Sequence, residues 1–263
     1  SGDFTRERKI PIEHVVGLIL HMAAHRNGDG YDITAQNYFS DLSKYLGDKN
    51  IKPVTRQAIS QARAKLDWQA FRHLHQEANQ DKVLTGERFR YRGHITRAID
   101  GSQLTLPHSD ELLSYFDQRN TSAGLGHYPC ALLVTALNVF TGQGKAARVV
   151  NHTGSEREQL QSMIELDFAS DDLSLLDRGF GGDQTFLCFD DHHQFYLCRM
   201  RSSGERNAIY LQDFLRSREK ELIVRQPVIR ADTWETVKIL IRLIRGPKDS
   251  EEKRLLDAML LAI

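Results

Sequence analysis

The hydrophobic pattern of this chain changes period at Gly86, and that switch limits its fold more than any other feature. Before Gly86 apolar residues recur at helical spacing; after it they alternate or run in short blocks. Ile12, Val15, Val16, Ile19, Leu20 and Met22 predict a helix over 12–26, closed by the turn cluster Asn27-Gly28-Asp29-Gly30. Thr34 is a candidate cap for a helix over 34–46 with Tyr38, Phe39, Leu42 and Leu46 on one face, stopping at Gly47. Thr55, behind Pro53, is placed to cap a helix over 56–66, and Asp67 one over 68–82 that would bury Trp68, Phe71 and Leu74. Past Gly86, segments 89–92, 94–99, 131–140 and 146–150 read as consecutive antiparallel strands, with a turn at 141–144. Ser155 with Glu158 three residues on is a capping box opening a helix to about Leu166, and 173–176 is a short buried strand. Helices first, then strands, a helix and a further strand, predict a mixed α/β layer arrangement.

Composition narrows the class. The 263 residues suffice for one large domain or two small ones, and 40% hydrophobic with 27% charged residues excludes a disordered chain. No apolar run approaches the roughly 18 residues of a membrane span, since Val15–Ala24 is interrupted by His21. No signal peptide is read, and Ser1-Gly2, without a Met, reads as a cloning remnant. Three cysteines without zinc spacing suggest a reducing cytoplasm, with Cys188 and Cys198 as core residues rather than a disulfide. Thirty-five basic and 35 acidic side chains give net charge zero, which taken whole argues against a nucleic-acid partner. The total hides segregation: residues 51–100 carry ten basic and five acidic side chains, a balance of +5, while 151–200 carry three and ten, a balance of −7. A basic block beside an acidic one fits a phosphate-binding surface beside a cation site; it also fits chance clustering on solvated faces.

Two groups of residues are candidates for chemistry. The helices 34–46 and 56–66 resemble a helix-turn-helix with a long connector, the second helix presenting Arg56, Gln57, Ser60, Gln61, Arg63 and Lys65. Arg and Gln can read base edges, and Ser and Lys can hold phosphates; a plain helical bundle with a solvated face has the same pattern. Asp100 and Asp177 each end an apolar strand, before Gly101-Ser102 and before Arg178-Gly179-Phe180. Acids at the ends of adjacent central strands point into the cleft where α/β sheets bind ligands, and an all-oxygen pair suits Mg²⁺ or Mn²⁺. Each could equally be a turn residue. Other clusters carry weaker signals. Asp183 reads as a helix cap, and Asp190-Asp191-His192-His193 as a solvent-facing turn before a strand over 194–201. Trp234 reads as a core residue before it reads as a base-stacking one, and His21 with His25 forms a helical pair without a visible third ligand.

The segment Ile95-Thr96-Arg97-Ala98-Ile99-Asp100-Gly101-Ser102 resembles the first-aspartate segment of bacterial insertion-sequence DDE transposases. Leu175-Leu176-Asp177-Arg178-Gly179-Phe180 resembles their second-aspartate segment, in the group named for a Tyr-Arg-Glu-Lys motif around the third acid. Residues 53–66 are similar to that group's helical N-terminal region, and the resemblance covers about residues 5–245. It implies an RNase H-like mixed-sheet core over 86–200, a helical DNA-binding region over 3–85 and part of a β-rich insertion over 201–263. It further implies cut-and-paste transposition: Mg²⁺- or Mn²⁺-dependent cleavage at element ends, then attack of the freed 3′-hydroxyl on target DNA. Asp100 and Asp177 would be metal ligands, while Arg178, Arg199 and Arg201 would lie near DNA. The partners implied are double-stranded DNA and a second copy of the chain on that DNA, in a bacterial cytoplasm near the nucleoid and without a membrane.

One part of the family pattern is missing. The third acid belongs to Tyr-x₂-Arg-x₃-Glu-x₆-Lys, yet Tyr210 is followed three residues on by Asp213, and Arg216 four residues on by Lys220. The stretch 238–245 reads as a late insertion strand, and the chain stops at Ile263 near where the motif helix is expected. Glu251, Glu252 and Asp257 are possible substitutes without motif support. Two rival readings follow: a catalytically incomplete, transposase-derived DNA-binding regulator or inhibitor, and a stand-alone metal nuclease on the same fold.

Overall fold

The structure is a computed structural model, and it describes residues 10–24, 31–47, 53–79, 86–117, 128–200, 209–217 and 219–245. The chain forms two compact units, residues 1–78 and 79–263.

The first unit is helical: α1 (Ile12–Ala24), α2 (Tyr31–Leu46), α3 (Arg56–Arg63) and α4 (Gln69–Asn79), which reaches its boundary. Leu18, Ala35 and Ile59, one from each of the first three helices, form its buried centre, with Met22, Tyr38 and Val54 packed around them. Thr55 caps α3 as the sequence predicts, its Oγ1 accepting from the Ala58 amide at 3.3 Å. Thr34 does not cap α2. The helix begins three residues earlier at Tyr31, and Thr34 is buried inside it. The α4 expectation also fails in its burial: the helix has no buried residue, and Trp68 and Leu74 are 66% and 50% exposed. Periodicity states which side of a helix is apolar, not whether another element covers it. His21 packs against Tyr38 with ring centroids 5.6 Å apart, while His25 lies outside the described residues.

The second unit is built on a five-stranded mixed sheet in the order β3-β2-β1-β4-β5. The strands are β1 (Ile95–Thr105), β2 (Cys130–Asn138), β3 (Gly144–Asn151), β4 (Asp172–Leu176) and β5 (Phe195–Cys198). β1, β2 and β3 run antiparallel in turn, whereas β4 and β5 run parallel to β1. α5 (Asp110–Phe116) follows β1; α6 (Glu156–Leu166) carries the chain from β3 to β4, and α7 (Asp183–Asp191) from β4 to β5. Among the described residues this makes a mixed α/β fold compatible with an RNase H-like core. Leu160, Met163 and Ile164 of α6 and Phe189 of α7 pack on Ile99, Val134 and Leu176 of the sheet. The first five residues of β1 are all buried, as a central strand requires, and exposure begins at Asp100.

A second cluster joins α8 (Ile209–Arg216) and the hairpin β6 (Glu221–Ile229) and β7 (Thr236–Ile244) to α7, through Phe186, Tyr210, Phe214, Val228, Ile239 and Ile241. Trp234 sits in the hairpin turn with φ 59° and 81% exposure, so it is not a core residue. Asp183 is the first residue of α7 rather than its cap. Its carboxylate accepts from Tyr210 Oη at 3.3 Å and Gln226 Nε2 at 3.4 Å, tying α8 and β6 to α7. Asp190 and Asp191 belong to the last turn of α7 instead of a free turn, and Asp191 forms a bidentate pair with Arg230 at 2.6 and 2.5 Å. All three cysteines are free and partly exposed. Among the described residues no helix is long and apolar enough to cross a membrane.

The stretch 89–92 is not a strand. Arg92 and Gly93 both take positive φ, 51° and 86°, in a tight turn bridging Tyr91 to His94. Arg90 there donates to Asp171 at 2.6 Å, and this bond holds the Asp171 carboxyl below its ordinary value of 3.8. A depressed carboxylate stabilises the fold above its unfolded value, and that contribution is lost as pH falls through the lower folded value. Asp171→Asn should therefore flatten the acid limb of stability. The variant's melting temperature is expected to fall less than the wild type's between about pH 6 and about pH 3, the range that spans ordinary carboxylate titration.

Candidate functional site

Asp100 and Asp177 come together because β1 and β4 are neighbours in parallel register. Ile99 pairs with Leu176, so the two aspartates are the next residues at the same level on adjacent strands. Neighbouring strands lie about 4.8 Å apart. Both aspartates are exposed, directly after the buried halves of their strands. β1 does not stop at Asp100, as its sequence suggests; it pairs with β2 as far as Thr105, because the apolar run of β2 offers ladder partners along that whole length. Asp100 Oδ1 accepts from the Gly101 amide at 2.9 Å.

The segment after Asp177 is a turn with a buried anchor. The Phe180 amide donates to the Asp177 carbonyl at 3.0 Å, and the Phe180 ring is buried in the sheet core. Arg157 Nε donates to the Gly179 carbonyl at 2.9 Å, fastening this turn to the start of α6. Arg178 is left exposed on the turn. On the far side, Leu176 pairs with Cys198 and the Arg199 amide donates to the Leu176 carbonyl at 2.9 Å, so exposed Arg199 follows Asp177 in the same row. Asp100 within β1, Asp177 just past β4 and Arg199 just past β5 thus lie in one row across three adjacent strands. Burial and the Asp177 charge push the neighbouring Cys198 thiol up to about 12, which keeps it protonated.

An open cleft of about 500 Å³ adjoins the aspartates, lined by Gly101, Ser102, His152, Glu156, Arg157 and Gly179 among others. Glu156 lines this cleft and is not singled out by the sequence. Ser155 caps α6 by accepting from the Glu158 amide at 3.4 Å, which places Glu156 as the first helical residue. Its carboxylate lies directly over Gly101: a Cβ at position 101 would sit 2.1 Å from Glu156 Oε1. No side chain other than glycine's fits there while Glu156 keeps its position. The available signal was an acid just inside a capping box, which by itself reads only as favourable helix-dipole placement.

Of the other predicted residues, Arg56, Gln57, Ser60, Arg63 and Lys65 are all exposed on or just after α3 in the first unit. Arg201, Glu251, Glu252 and Asp257 lie outside the described residues. Part of the basic block is corrected: Arg97 is only 6% exposed and pairs with Asp172 at 3.0 Å, and Arg90 is held by Asp171, so neither belongs to an open phosphate surface.

No protein-family model and no curated protein matches the chain. Among solved structures, it is similar to a piggyBac transposase determined by cryo-electron microscopy as a synaptic complex with hairpin DNA. The likeness has a TM-score of 0.48 and 10% sequence identity, and takes in all of this chain and 59% of that one.

Proposed function

We propose that the chain is the DNA-processing part of a DDE-type transposase related to the bacterial insertion-sequence group it resembles. The observation that carries this reading is that Asp100 in β1 and Asp177 just past β4 are both exposed and each follow the paired residues Ile99 and Leu176 of two adjacent parallel strands. Glu156 lies over Gly101, and neighbouring strand residues face opposite sides of the sheet, so its carboxylate is on the other face from the Asp100 side chain.

The aspartate pair fits a hard divalent cation, since Mg²⁺ and Mn²⁺ prefer oxygen ligands. Both carboxylates are exposed, so an ion can reach them from solvent. Asp100 and Asp177 would hold the ions. Bound there, the ions would supply Lewis-acid activation of an attacking oxygen and stabilisation of a leaving one in phosphoryl transfer. The chain's own residues have separate tasks. Arg157 keeps the Asp177 turn at a fixed height by its bond to Gly179. Arg178 and Arg199 offer guanidinium groups to phosphate oxygens flanking the scissile bond, orienting the strand. In the cut, water adds to phosphorus and the 3′-oxygen leaves, taking a proton to become the 3′-hydroxyl. In joining, that hydroxyl adds to a target phosphodiester, loses its proton and displaces the target strand's own 3′-oxygen.

In the first unit, Arg56, Gln57, Ser60, Arg63 and Lys65 form the proposed DNA-reading face, and two copies of the chain would hold two element ends. Arg63→Ala should weaken duplex binding and reduce the slope of log affinity against log salt by about 1, measured by fluorescence anisotropy across a salt series. The whole reading is tested by incubating the chain with duplex DNA, with and without Mg²⁺ or Mn²⁺. Divalent-dependent strand cleavage, abolished by chelation, is the expected result. Salt-sensitive binding without cleavage under either ion would overturn the enzyme and favour the DNA-binding regulator.

A further inference from the structure

A second cluster of metal-ligating side chains lies away from the aspartates, at the other end of α6. Glu165 is near the C-terminus of α6, nine residues and about 14 Å along the helix from Glu156. Cys188 and His192 are four residues apart at the C-terminal end of α7, and so share a face. One ligand atom from each of the three, a carboxylate oxygen, Sγ and an imidazole nitrogen, lies within 4.8 Å of the others. Glu165 and His192 are exposed and Cys188 is half-buried. Among the described residues, neither the Glu165 carboxylate nor the His192 ring makes a hydrogen bond or ion pair.

The backbone that carries these groups is fixed. Gln194 Nε2 donates to the carbonyls of Ile164 at 3.1 Å and Phe168 at 3.4 Å, and the Gln194 amide donates to Phe189 at 3.0 Å. The turn after α7 is thereby pinned to the end of α6. Two helix C-termini meet there, and each presents the negative end of its dipole, which favours a cation. Asp191, whose charge also acts on Cys188, is engaged by Arg230 through both carboxylate oxygens.

We propose that Cys188, His192 and Glu165 form a zinc-type site that clasps α6 to α7, a centre chemically distinct from the all-oxygen site at Asp100 and Asp177. One sulfur, one nitrogen and one oxygen suit a borderline-soft ion such as Zn²⁺, whereas Mg²⁺ calls for oxygens. Three protein ligands leave the fourth tetrahedral position to water. Without metal, burial and the charges of Glu165 and Asp191 push the Cys188 thiol up to about 11, so it is protonated. Those same negative charges attract a divalent ion. On binding, the Cys188 S–H bond breaks, its proton goes to solvent, and the thiolate electron pair forms the metal–sulfur bond.

The test uses the full chain titrated with Co²⁺, whose thiolate charge-transfer absorption reports a Co–S bond, and then with Zn²⁺ in competition. The wild type should develop the band and lose it to Zn²⁺. Cys188→Ser should lose the band and at least tenfold in Zn²⁺ affinity, while Cys130→Ser should change neither. His192→Ala alters an exposed side chain, so it guards against a folding failure in the Cys188 variant. It should keep the wild-type circular dichroism spectrum, bind Zn²⁺ at least tenfold more weakly, and lose the rise in melting temperature that Zn²⁺ gives the wild type. An absent band in the wild type, or an unchanged band in Cys188→Ser, overturns the proposal, as does unchanged Zn²⁺ affinity in His192→Ala.

Discussion

Asp177→Asn is expected to reduce divalent-dependent DNA cleavage by more than the roughly 10–100-fold that follows loss of an outer-shell metal partner. The same substitution should leave the melting temperature within experimental error of the wild type. The two halves of this expectation have separate physical grounds. The Asp177 side chain is exposed, and the turn it begins is held by its backbone carbonyl, by the buried Phe180 ring and by Arg157, none of which the substitution touches. Asn keeps the size of Asp and removes one negative charge, which is what a hard cation needs from this position. Asp100→Asn makes a matched comparison, since an Asn oxygen can still accept the Gly101 amide that Asp100 Oδ1 accepts now. Cleavage gels with Mg²⁺ and Mn²⁺, read beside thermal melts, check both variants. Retained cleavage in a folded variant would remove that aspartate from the site.

Arg97→Ala carries the largest expected cost in stability, about 3–5 kcal/mol, the range seen when one partner of a buried ion pair is removed. Arg97 and Asp172 are 6% and 1% exposed and meet at 3.0 Å between β1 and β4. The second Asp172 oxygen accepts from the Ala169 amide at 3.0 Å, so the carboxylate stays in place when Arg97 is cut back and is left charged without its partner. Much of the cost is that stranded charge rather than the net worth of the pair. Arg97→Met combined with Asp172→Leu should therefore cost less than Arg97→Ala alone, although it removes the whole interaction. Urea unfolding of both variants measures the difference; a loss below about 1 kcal/mol in Arg97→Ala would show that the pair is solvated. The pair cross-links the strands that carry Asp100 and Asp177, so a severe loss here should also lower cleavage through disorder at the site.

The elements that were legible in the sequence were set by neighbours along the chain. Thr55 caps α3 and Ser155 caps α6 where their spacing says, because a cap bonds amides only two or three residues away. The buried run before Asp100 and the apolar residues before Asp177 mark central strands for the same local reason. The failures arose where a distant residue decides. Trp68 and Leu74 are as apolar as core residues but lie exposed, and Arg97 counts as surface charge until Asp172 buries it.

The candidate site divides along the same line. That Asp100 and Asp177 each follow an apolar strand is written in the sequence; that β1 and β4 are parallel neighbours, with Ile99 opposite Leu176, is a property of the sheet. Nothing near Glu156 in the chain points to Gly101, which lies more than 50 residues earlier. Only the packing of α6 on the sheet places the carboxylate over the glycine. Local hydrogen bonding and hydrophobic period therefore determined what the helices and central strands are. Strand order and helix packing, which depend on burial among residues far apart in sequence, decided which acids meet.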